Sequence, residues 1–87
     1  MDEILLKKIE QKIHDSISNQ DDIKELIKSL SSIDNSKSFA LGIVVGRLYN
    51  TFFYQSKRIL KREPTKQEFE DFLKYIENKK SDLDNLW

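Results

Sequence analysis

The stretch KSFALGIVVGRLYNTFFYQSKRILKR, residues 37–62, decides the fold. Leu41, Val45, Leu48, Phe52 and Ile59 recur at steps of four, three, four and seven, which places them on one stripe of a helix. The same spacing is that of a heptad seam. Gln55 occupies the position that the last step skips, where a polar group sets register or partner number. At about 1.5 Å per residue such a helix is close to 38 Å long. It has to stop before Glu63-Pro64, because the residue preceding a proline is pushed out of helical geometry.

On the C-terminal side, Thr65 followed by Glu68 is a capping box, opening a fourth helix over about 66–78 with Phe69, Phe72, Leu73 and Ile76 inward. In the tail, 79–87, Leu83, Leu86 and Trp87 are spaced for one further short helical turn. On the N-terminal side, the polar run from Ser31 to Ser38 reads as a loop, with Ser36 or Ser38 as N-cap of the long helix. Before it, a helix over about 3–18 carries Ile4, Leu5, Ile9, Ile13 and Ile17. A second over about 22–31 carries Ile23, Leu26, Ile27 and Leu30, capped by Asn19 or Asp21. Two glycines and one proline in 87 residues suit helices and not a many-turned sheet. The expectation is an all-α bundle of about four helices forming one domain over 1–87, with one long central helix at about 37–62.

The stretch from Leu60 to Phe69 resembles the Arg-x-Pro-Thr-x-x-Glu helix junction of helical DNA-associated domains, including sigma-factor region three. The resemblance covers about ten residues, and the glycine usual before that arginine is Lys61 here. Its Pro64, Thr65 and Glu68 are also what helix-stop and capping chemistry requires by itself.

Several function classes lose their chemical basis. With no cysteine there is no disulfide, thiolate metal site or cysteine nucleophile, and His14 is the single histidine. No phosphate loop, nucleophile elbow or dinucleotide fingerprint occurs, and the glycines lie inside a helical pattern. The chain is expected to be a non-enzyme with no cofactor, no metal and no small-molecule substrate. The apolar run 39–46 is interrupted by Arg47, far short of the roughly 20 residues a membrane span needs. Met1-Asp2-Glu3 does not open like a secretory signal, so a cytoplasmic location is expected.

Two faces of the long helix carry the functional expectation. Beside the seam lie Gly42, Gly46, Tyr49 and Phe53, the glycines forming a Gly-x-x-x-Gly pair. Each mid-helix glycine costs about 0.5–1 kcal/mol against alanine, so two on one face point to a backbone approaching closely. The occupant is either another helix of the same chain or the same helix of a second copy. The aromatic surplus of Phe39, Tyr49, Phe52, Phe53 and Tyr54 favours the second, a homodimer. On the remaining face, Arg47, Tyr54, Arg58, Lys61 and Arg62 form a basic stripe. Residues 39–62 hold five bases and no acid, against six bases and eight acids in 1–38 and four and seven in 63–87. Cations interleaved with Tyr54 and Asn50 are the parts of a nucleic-acid surface, although Glu68, Glu70 and Asp71 are placed to screen it.

Overall fold

In the computed structural model, which describes residues 1–30, 32 and 34–85, the chain is all-α: four helices and no strand among the described residues. Asp2 caps the first helix, α1 (Glu3–Ser18), by accepting from the Leu5 amide at 3.0 Å. Only Asn19 separates α1 from α2 (Gln20–Ser29), and its side chain caps nothing. The long helix α3 (Ser36–Leu60) is capped by Asn35, whose side chain takes the Ser38 amide at 2.9 Å, one residue ahead of Ser36 and three ahead of Ser38, the serines expected in that role. α3 ends where Lys61 turns left-handed, at φ 60° and ψ 26°. The capping box at Thr65 and Glu68 then opens α4 (Lys66–Asp84).

α4 runs six residues past the expected end at Asn78, because nothing after Pro64 breaks a helix and Leu83 is buried at the far end. The expected separate turn over 79–87 is therefore, as far as Asp84, part of α4. Leu86 and Trp87 lie outside the described residues.

α3 is the spine. α1, α2 and α4 all pack against it, α1 most extensively, and the backbones of α1 and α4 do not approach each other. The core joins Leu5 and Ile9 of α1, Ile23 and Ile27 of α2, Ala40, Val44, Leu48 and Phe52 of α3, and Phe72 and Leu83 of α4. Phe52 and Phe72 stack with centroids 4.5 Å apart and planes 2° from parallel, fixing α4 on α3. Compared with the expected seam, the buried stripe of α3 is turned toward α1. Ala40, Val44, Thr51 and Ser56 are buried, while Leu41, Val45 and Ile59 pack at its edge. The cause is that α1 and α4 flank the stripe from two sides, so its centre falls between their contact lines. The same geometry leaves Ile4, Ile17, Leu26 and Leu30 exposed, although their spacing placed them inward.

Candidate interaction surfaces

Gly42 and Gly46 lie on the outer side of α3, both exposed, and a β-carbon built on either would meet nothing within 4 Å. No helix among the described residues fills the notch, so of the two occupants expected there, a helix of the same chain is not found. Tyr49, one turn further, is 48% exposed, and Phe53 is half-buried with its ring 6.4 Å from that of Tyr49. Tyr49 also meets Phe69 of α4 edge-on at 6.2 Å. Phe69 and Leu73, expected inward, are exposed here, Leu73 by 50%. An apolar groove of about 310 Å³ runs beside the glycines between α3 and α4, floored by Leu41, Val45, Leu73, Ile76 and Leu83. Glu77 and Lys80 complete the lining of the groove, which includes neither glycine.

The opposite flank of α3 is polar. Arg47, Thr51, Tyr54 and Arg58, spaced four, three and four, fall on one line facing the margin of α1. Tyr54 is 61% exposed. It stands between two shallow hollows, lining both together with Asn50. One hollow, about 330 Å³, is closed from the α1 side by Lys8 and Lys12, with Thr51 and Gln55 in its floor. The other, about 450 Å³, adds Lys57 and Arg58. Asp15, the acid in the first hollow, accepts from Gln11 Nε2 at 3.0 Å. Lys8 and Lys12 were not singled out from sequence, because an i, i+4 lysine pair on the wet side of a helix carries no signal of what stands opposite.

Arg62 does not join this line. Its guanidinium holds Glu68 through two contacts, Nη1 to Oε1 at 2.6 Å and Nη2 to Oε2 at 3.2 Å, the only ion pair among the described residues. Of the acids expected to screen the basic face, Glu68 does so for Arg62 alone. Lys61 sits at the same corner, exposed, as the left-handed end of α3. The glycine usual at that place in the resembling junctions would occupy this conformation without strain.

Among the described residues no cluster of three or more potential metal ligands occurs, and no helix is long and apolar enough to cross a membrane. Compared with known proteins, the chain matches no family model, no curated protein and no solved structure.

Proposed function

We propose that this chain is a non-catalytic helical interaction module that forms a homodimer through the outer face of α3 around Gly42, Gly46, Tyr49 and Phe53. The observation that carries the reading is that two helix-weakening glycines stand open on the surface, with none of the described residues against them and half-exposed aromatic rings beside them. Small residues let a second backbone approach, and the rings and Leu73 supply apolar area to bury.

Gly46→Leu tests it. Gly46 is exposed and a β-carbon there meets none of the described residues within 4 Å, so the fold should hold and helix propensity should add about 0.5–1 kcal/mol. Sedimentation equilibrium is expected to show the wild-type dimer and a Gly46→Leu monomer. A monomeric wild type, or a variant of unchanged mass, would overturn the proposal.

A second reading, nucleic-acid binding along Arg47, Tyr54, Arg58 and Lys61, with Arg62 of the expected stripe held by Glu68, is favoured by the absence of any acid between residues 39 and 62. It differs from apolar association in its response to salt, since phosphate contacts weaken steeply as salt is added.

A further inference from the structure

Of the two hollows on either side of Tyr54, the one toward α1 shares no residue with the glycine face and the other shares only Phe53 with it, and the lining toward α1 is unusual for a helix-helix margin. Where α1 meets α3 an apolar seam is the norm, yet Thr51 and Gln55 stand there. Thr51 is only 9% exposed, and Gln55 Oε1 is buried with no hydrogen-bond partner among the described residues. Leaving a buried amide oxygen unpaired forfeits its hydration with nothing in return. A leucine at 55 would continue the seam and avoid that cost, so the polar floor is a feature that folding does not ask for.

What surrounds the floor has a consistent chemistry. Lys8 and Lys12 on one side and Lys57 and Arg58 on the other give four cations against the single acid Asp15. Between them Tyr54 projects as a ridge, an aromatic face with amides on both flanks in Asn50 and Gln55. Cations suit phosphates, an exposed aromatic face suits an unpaired base, and side-chain amides suit base edges. A free mononucleotide would use one hollow. Two hollows sharing a ridge, each with its own pair of cations, match two successive units of one strand.

We propose that the margin between α1 and α3 binds single-stranded nucleic acid, with a base against Tyr54, its edge toward Asn50 above the polar floor of Thr51 and Gln55, and flanking phosphates on Lys8 and Lys12 and on Lys57 and Arg58. The inference rests on the nucleic-acid reading and deepens it. It moves the contact from the exposed end of α3 to its margin with α1 and enlists Lys8, Lys12, Thr51 and Gln55. It does not depend on self-association.

The experiment is fluorescence anisotropy of a labelled single-stranded uridine oligomer titrated with the full chain at about 50 and 200 mM salt, the range over which phosphate contacts show themselves. The comparison variants are Lys8→Ala/Lys12→Ala, Tyr54→Ala and Lys61→Ala, with circular dichroism to verify helicity. All four positions are exposed or partly exposed, so folding is expected to survive. Losing two single-strand phosphate contacts should lower the salt slope by about 1.4, and Tyr54→Ala should weaken binding by roughly tenfold. Lys61→Ala should act weakly.

Binding that is lost in Lys61→Ala but untouched by Lys8→Ala/Lys12→Ala would overturn this inference and leave the nucleic-acid reading standing. No binding at the lower salt would sink both. Uridine monophosphate binding as tightly as the oligomer would overturn the assignment to a strand, and so would preference for a duplex of equal length.

Discussion

Glu68 holds three donors with two oxygens. Oε1 accepts from Arg62 Nη1 at 2.6 Å and from the Thr65 amide at 2.8 Å, and Oε2 from Arg62 Nη2 at 3.2 Å. First the guanidinium and then the Thr65 backbone amide favour the ionised form, bringing the Glu68 carboxyl down to about 2. A carboxylate whose pKa is depressed by folding adds stability above its unfolded pKa, and that contribution fades as pH falls from the ordinary carboxylate range toward 2. Glu68→Gln should therefore lower the melting temperature at neutral pH and much less at about pH 2, where the wild-type carboxyl is close to half protonated. Thermal melts of the two proteins at both pH values decide it, and an undiminished difference in acid would rule the clamp out. The capping half of this arrangement was legible in the sequence because Thr65 and Glu68 are three residues apart and the rule is local. Arg62 was read as part of the basic stripe, because which partner a long cation chooses across a corner depends on the turn at Lys61, and spacing does not encode that.

At the scale of an element, the corner between α3 and α4 shows how a helix end is set. The proline forbids continuation, yet the residue that bends away is Lys61, in a left-handed conformation costing a non-glycine residue roughly 1 kcal/mol. Lys61→Gly should remove that strain and stabilise the protein by about 0.5–1 kcal/mol, after allowing for the greater freedom of glycine in the unfolded chain. In a domain of this size that corresponds to a rise in melting temperature of about 2–8 °C. Calorimetry would reveal it, and a fall would mean that the lysine stem contributes packing at the corner. The opposite end of α4 was less legible. Its last turns, rich in Asn, Lys, Ser and Asp, have little helical drive of their own, and they are held through Leu83, which meets the core where local sequence cannot show it.

For the whole molecule, periodicity revealed that every helix has an apolar side but not the direction from which its neighbours come. On α1 and α2 this made too many residues core: Leu5, Ile9, Ile23 and Ile27 are buried, while Ile4, Ile17, Leu26 and Leu30 are not. On α3 it located the stripe but not its rotation toward α1, so Thr51 and Ser56 entered the interior and Gly42 and Gly46 stayed outside it. The result is a body of 41 × 20 × 20 Å in which one long helix is bare along part of its length. If two such bodies share that bare side, folding and assembly are coupled by mass action. The melting temperature of the wild type should then climb with protein concentration, and that of Gly46→Leu should not. Scans over a hundredfold concentration range test the coupling, with parallel behaviour of the two proteins counting against it.

Because α1 and α4 both pack on α3 and their backbones do not approach each other, the two flanks of the molecule have one rigid rod in common. A strand lodged against α1 and a second copy seated beside α4 would both press on that rod, from different sides. Whatever one occupant does to the pitch or tilt of α3, the other must feel, and thermodynamic reciprocity requires the influence to be equal in both directions. A chain of 87 residues has little room for a dedicated relay. Here the spine of the fold would itself be the relay, and its stiffness would set how strongly the two occupants favour or exclude each other.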